Sequence, residues 1–350
     1  MRYSIYTLIA FLTIQFANSQ SKCKSLFEAT QANNVEEVKT LLKDGANPNC
    51  IYGKEDPQTV LNQAAKNGNT AIGRMLLEAG AKVDHRAQND GTPLITAARR
   101  NQFEFVKFLV ENRADVNANI RGDGTPLLWA SGTGNLEMVT YLMDRGAKIN
   151  VISRGDGTPL IQAVRRNQLE IVKLLLDKGA DPNLASPGDD SPMIYASKSR
   201  NSDLMHLLLE NNGDVNKVTR GDGTPLIMAS RQGNLDKVEH LISLGADVNL
   251  GVEGDGNPLI MASRGGHLDV MEFLIENGAD VNALVESDET ALIQAAGRGY
   301  LDAVKLLLDN DADINKYTRY SGELRSPLTM ARKNGHSEVV DFLLENGAEK

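Results

Sequence analysis

A motif built on Thr-Pro-Leu returns at a fixed interval through most of this chain. Thr92-Pro93-Leu94, Thr125-Pro126-Leu127, Thr158-Pro159-Leu160 and Thr224-Pro225-Leu226 are intact copies. Thr59-Val60-Leu61, Ser191-Pro192-Met193, Asn257-Pro258-Leu259 and Thr290-Ala291-Leu292 are variants in the same frame, so every step from 59 to 290 is 33 residues. Such a period means one supersecondary unit copied and stacked, because a single unit cannot shield its own apolar faces. It overrides the several ordinary domains that 350 residues could hold. Ser326-Pro327-Leu328 follows Thr290 by 36 residues, and Lys24-Ser25-Leu26 precedes Thr59 by 35. Ten units are expected, beginning near 24, 59, 92, 125, 158, 191, 224, 257, 290 and 326.

Each unit carries its own start and stop signals. The Thr or Ser hydroxyl caps a helix whose first position is the proline, which needs no N–H partner there. Nine residues after the threonine stands a residue tolerant of left-handed backbone angles: Asn33, Gly68, Asn101, Gly134, Asn167, Gly233, Gly266, Gly299 or Gly335, with Arg200 the exception. Apolar residues at helical spacing, as in the run from Leu169 to Leu176, then predict a second helix. It stops at Gly45, Gly80, Gly146, Gly179, Asn212, Gly245, Gly278, Asp311 or Gly347, with Arg113 the misfit. An Ala-Asp-Val-Asn stretch follows and leads into a turn such as Arg121-Gly122-Asp123-Gly124, expected to form a hairpin into the next unit.

TPLxxA, the helix-terminating Gly or Asn, the VxxLLL run and GADVN together resemble the ankyrin repeat, over residues 24 to 349. The resemblance implies an all-α fold: an ankyrin-repeat solenoid of antiparallel helix pairs with short β-hairpin loops, about ten repeats, serving as a protein-binding scaffold. The chain departs from the family pattern where a histidine commonly follows TPL. Here stand Ile95, Leu128, Ile161, Ile194, Ile227, Ile260 and Ile293, so apolar packing is expected in place of an imidazole network. Gly-Asp-Gly also abuts the threonine, one residue closer than in many family repeats.

Residues 1–20 have a signal-peptide layout: Arg2, an apolar run from Ile5 to Phe16, then Ala17-Asn18-Ser19, with cleavage expected after Ser19 or Gln20. That run is too short for a membrane span, which wants about 20 apolar residues. The remaining 21–350 is expected to be one repeat domain, monomeric, with no membrane insertion after cleavage, in the periplasm or secreted. The two cysteines, Cys23 and Cys50, bracket the first unit, and export favours a disulfide between them over two free thiols. Both end units carry polar residues that would cap the stack, such as Glu28 and Asn34 at one end and Arg332 and Glu345 at the other.

Candidate binding residues sit at two repeat positions. Seven residues after the motif threonine come Lys66, Arg99, Arg165, Lys198, Arg231, Arg264 and Lys333, with Arg100, Arg166 and Arg298 one place on. By the resemblance this position faces a concave groove, suited to an acidic partner. The alternative is that these cations offset helix dipoles and pair with neighbouring acids. Four residues after the threonine stand Trp129, Tyr195, Met228 and Met261, which are either binding anchors or packing against the adjacent helix. A second ladder, Glu37 or Glu36, Glu104, Glu137, Glu170, Asp203, Asp236, Asp269, Asp302 and Glu338, stands in the opening turn of the second helices and reads as dipole compensation. Arg-Gly-Asp at 121–123, 154–156 and 220–222 falls at one repeat position, with Glu253-Gly254-Asp255 in the same slot, so a turn requirement accounts for it without a receptor.

None of the five histidines has metal-ligand spacing, no phosphate-binding loop or activated nucleophile is evident, and no cofactor is expected. A net charge of −9 opposes nucleic-acid binding. The expected function is non-catalytic: a scaffold outside the cytoplasm that binds a protein partner through the concave helix face and hairpin tips. Alternatives are an accessory or regulatory subunit of an exported enzyme, or a secreted effector acting on host proteins.

Overall fold

The computed structural model describes residues 20–349 except 54, 56, 89, 186–190, 200, 220, 222, 286–288 and 321–322, with Tyr320 described for its backbone alone. The expected signal peptide lies outside the described residues. The chain divides into two compact units, Met1–Asp189 and Asp190–Lys350. Their boundary falls just before the Ser191 motif.

The first unit holds five helix pairs: α1 (20–31) with α2 (Val35–Lys43), α3 (Val60–Asn67) with α4 (Thr70–Glu78), α5 (Pro93–Arg99) with α6 (Phe103–Glu111), α7 (Pro126–Thr133) with α8 (Leu136–Asp144), and α9 (Pro159–Arg165) with α10 (Leu169–Asp177). The second holds α11 (Pro192–Lys198) with α12 (Asp203–Glu210), α13 (Pro225–Arg231) with α14 (Leu235–Ser243), α15 (Pro258–Gly265) with α16 (Leu268–Glu276), α17 (Ala291–Arg298) with α18 (Leu301–Asp309), and α19 (Pro327–Lys333) with α20 (Ser337–Glu345). The all-α expectation of helix pairs with short hairpins, about ten repeats, is what these residues show. In each unit the first helices of successive pairs pack more closely than the second helices do, which bends each stack with the first helices on its inner side.

In every pair after the first, the motif Thr, Ser or Asn caps the first helix; α1 is instead already helical at residue 20, ahead of the Lys24 frame position. Thr125 Oγ1 accepts the backbone N–H of Leu128 at 3.1 Å, Thr158 that of Ile161 at 3.1 Å, and the asparagine variant Asn257 that of Ile260 at 2.8 Å. The residues that replace the family histidine, from Ile95 to Ile293, are buried, so the stack is apolar at that level. Every described residue expected at a left-handed helix end has positive φ, including Arg113 at 68°. Arg113 pays a steric cost there that glycine avoids. At Gly233, with φ 67°, the demand is double: a Cβ would also run into the ring of His267.

Between units the joints are polar and repeat. The asparagine that ends Ala-Asp-Val-Asn clasps the next pair's loop with both ends of its amide. Asn150 Nδ2 donates to the Gly179 carbonyl at 2.9 Å while its Oδ1 accepts the Asp181 N–H at 2.9 Å, and Asn117, Asn249 and Asn282 do the same one repeat apart. His267 and His336, at the head of their second helices, place Nε2 3.2 Å from the carbonyls of Arg231 and Gly297 in the preceding pair.

The expected hairpins are minimal. Ile120 pairs with Gly124, Ser153 with Gly157, Thr219 with Gly223 and Val252 with Gly256 through single antiparallel bridges. Longer hairpins stand at two places: β1 (Ile51–Tyr52) with β2 (Gln58–Thr59), and β3 (Thr318–Tyr320) with β4 (Glu323–Arg325). These occur where the steps are 35 and 36 residues, since the additional residues lengthen the arms. Cys23 in α1 and Cys50 before β1 form the expected disulfide, with Cα atoms 5.9 Å apart, tying the first pair to the chain that leaves it.

Candidate interaction surface

Turn geometry determines what becomes of the basic ladder. In the Arg121–Gly124 turn the Asp123 N–H donates to the Ile120 carbonyl at 2.9 Å, and the Asp123 side chain is folded under the stack at 8% exposure. Its carboxylate meets Arg99 Nη1 at 2.8 Å, reaching from the end of α5. The same pair recurs in the second unit, where Arg231 Nη2 lies 3.2 Å from Asp255 Oδ1. In both cases the cation stands 24 residues before the acid. Arg99 and Arg231, expected as partner contacts, are therefore engaged within the stack. A buried Asp123 likewise removes the carboxylate a receptor for Arg-Gly-Asp would read.

Asp90 takes the equivalent place in the preceding turn. Burial pushes its carboxyl above the usual carboxylate range, opposed by hydrogen bonds from the Asn62 amide and the Gly91 N–H, with the Lys66 charge a smaller opposing influence.

The position four residues after the threonine faces the neighbouring first helix, which settles the methionines. Met228 and Met261 are 5% and 2% exposed and pack inside the second unit, so their expected role as surface anchors is corrected to core packing. Trp129 is half-buried: its Nε1 donates to the Asp123 carbonyl and the Arg99 guanidinium lies 5.5 Å from its ring. Gln162 uses the same position to donate to the Asp156 carbonyl at 2.7 Å, so Trp129 serves as a turn clamp as well as an aromatic surface. Tyr195 is half-buried under the Lys198 ammonium, 5.5 Å from its ring. Arg165 and Arg264 are exposed at the ends of α9 and α15.

Sequence reasoning did not anticipate a cleft in the second unit. It has a volume of about 710 Å³ and lies between the ends of α15, α17 and α19 and the β3–β4 hairpin. Among the described residues, Arg264, Arg298, Arg319 and Arg325 line it, with one carboxylate, Glu289. Arg325 Nη1 holds Glu289 at 2.6 Å. Tyr317 and Leu284, each 56% exposed, supply apolar surface on the same wall. The hairpin is braced from outside by Lys333, whose ammonium sits 2.7 Å from Glu323 and holds that carboxyl below its ordinary range. The visible signal was the 36-residue step, which marks the long hairpin.

Among the described residues no His, Cys, Asp and Glu group is arranged to hold a metal ion, and no helix is long and apolar enough to cross a membrane.

A family profile described as "Ankyrin repeats (3 copies)" matches residues 26–120, 118–186, 160–252, 193–285 and 259–350. Among solved structures, the human ASB11 ankyrin repeat domain is similar to this chain at 25% identity and a TM-score of 0.54, over 63% of this chain and 96% of that one. No curated protein matches.

Proposed function

Because the chain belongs to the ankyrin-repeat family, whose repeats are protein–protein interaction scaffolds, we propose that it acts without catalysis, outside the cytoplasm, by holding a protein partner against its inner helix face and hairpin turns. The observation that carries the reading is the set of exposed cations at the inner helix ends: Arg166 in the first unit, Arg264 and Arg298 in the second. Unlike Arg99 and Arg231, these side chains stand in solvent, where a partner's carboxylates can reach them. The Cys23–Cys50 disulfide supports an oxidising compartment, because glutathione and thioredoxin keep such pairs reduced in most cytosols.

Two measurements test this. N-terminal sequencing of the protein from its native source is expected to begin at Gln20 or Ser21; retention of Met1 overturns export. Photo-crosslinking from Arg166, compared with Lys178 at the outer end of α10, is expected to trap the partner from the inner position. Equal trapping from both overturns the inner-face assignment. A trapped exported enzyme makes the chain an accessory subunit, whereas a trapped host protein makes it an effector.

A further inference from the structure

Arg298 ends α17 and Arg319 lies in β3, so different elements deliver them to one cleft, together with Arg264 from the last turn of α15. Helix-dipole compensation accounts for a cation at the end of a helix, but Arg319 is in a strand and has no such dipole to offset. Glu289 is already engaged by Arg325, and among the described residues no carboxylate pairs with Arg264, Arg298 or Arg319. Among the described lining residues cations thus outnumber acids, in a chain of net charge −9.

Beside these cations the cleft exposes Tyr317 and Leu284 and includes Val285 and Met330. Apolar and cationic surface in one concavity asks for a ligand carrying both characters. A volume of about 710 Å³ exceeds what a lone carboxylate or phosphate fills and lies in the range of pockets that take several side chains.

Resting on the scaffold reading, we propose that this cleft receives an acidic segment of a partner protein: an apolar side chain seated on Leu284, Val285 and Tyr317, flanked by carboxylates that meet Arg298 and Arg319. A nucleic acid suits it less well. Its charge would extend past the arginines onto the rest of a chain of net charge −9, where an acidic protein repels a polyanion. A short peptide confines its charge to the cleft.

The test pans a library of random peptides on the full chain, on the Arg298→Glu/Arg319→Glu variant and on Arg121→Glu, an exposed turn substitution in the other unit. All three exposed substitutions should leave thermal melts unchanged. Wild type and Arg121→Glu are expected to enrich peptides with acidic residues around a large apolar one. The double variant should bind the enriched peptides about tenfold or more weakly, and replacing their acids by amides should cost a similar factor. Enrichment without acids, equal binding by the double variant, tighter binding of a single-stranded oligonucleotide, or no enrichment at all overturns the proposal. Peptides that bind with the double variant unaffected would sink the cleft and leave the scaffold standing; photo-crosslinking that traps no partner at all would sink the scaffold itself.

Discussion

Asp84 accepts the backbone N–H of Asp115 at 3.2 Å, in the slot that asparagine fills in the repeats around it. Asn117, one repeat later, adds a second bond from its Nδ2 to the Gly146 carbonyl, and a carboxylate has no proton to offer there. Burial raises the Asp84 carboxyl above its ordinary value, the Asp115 hydrogen bond opposes that, and the Asp115 charge adds to it.

Asp84→Asn is therefore expected to stabilise the first unit, by about 0.5–1.5 kcal/mol for one added hydrogen bond. The sign of the pH dependence follows from linkage. A carboxyl whose folded pKa is raised binds its proton more tightly in the folded state, so ionisation costs stability above that pKa and the cost fades as pH falls through it. The gain in urea midpoint from Asp84→Asn should be larger at about pH 7 than at about pH 4. An equal gain at both would remove the carboxylate from the account.

Arg113 holds φ 68° at a helix end where glycine stands in most repeats. Arg113→Gly should raise stability by about 1 kcal/mol through relief of the Cβ clash, measured by chemical denaturation. A loss would mean that the exposed arginine makes a contact worth more than the strain.

Removing Arg99 leaves the Asp123 carboxylate buried without its cation. Arg99→Ala is expected to cost about 1–3 kcal/mol, and adding Asp123→Asn should recover part of it, since the uncompensated charge is then gone. Trp129 is the sole tryptophan and lies under Arg99, so its fluorescence reports the event at the site. Additive losses in the two variants would deny the coupling.

The disulfide closes a loop over a separation of 27 residues, for which chain entropy predicts about 3.5 kcal/mol. Cys23→Ser with Cys50→Ser should lower the melting of the first unit by that order and leave the second unit's transition in place. A matching shift in both transitions would contradict the division at Asp189.

The frame of helices was legible because threonine caps, prolines and left-handed ends are local requirements, each written within a few residues of where it acts. Asn150 and its counterparts were visible as a recurring letter, but their clasp joins residues about 30 apart and shows only once the pairs are stacked. The same distance hid the ion pairs. Arg99 and Asp123 recur at matching positions 24 apart, yet a cation at a helix end reads equally well as groove, dipole or partner until the turn is seen to fold its acid inward. Met228 and Met261 suit a surface anchor or a packed core equally well in the sequence, because composition does not say which way a helix faces, and the stack buries them. The second-unit cleft gathers side chains from Arg264 to Asn334, and only the lengthened step before Ser326 hinted at it.

Since one repeat's arginine is neutralised by an aspartate in the next repeat's turn, positive surface in such an array is governed by subtraction. Exchanging Asp123 or Asp255 for a neutral residue would uncover a cation already in position, without any arginine being introduced. Lineages of such proteins could thus acquire affinity for acidic targets by losing a single acid, repeat by repeat, at a modest cost in stiffness between neighbours.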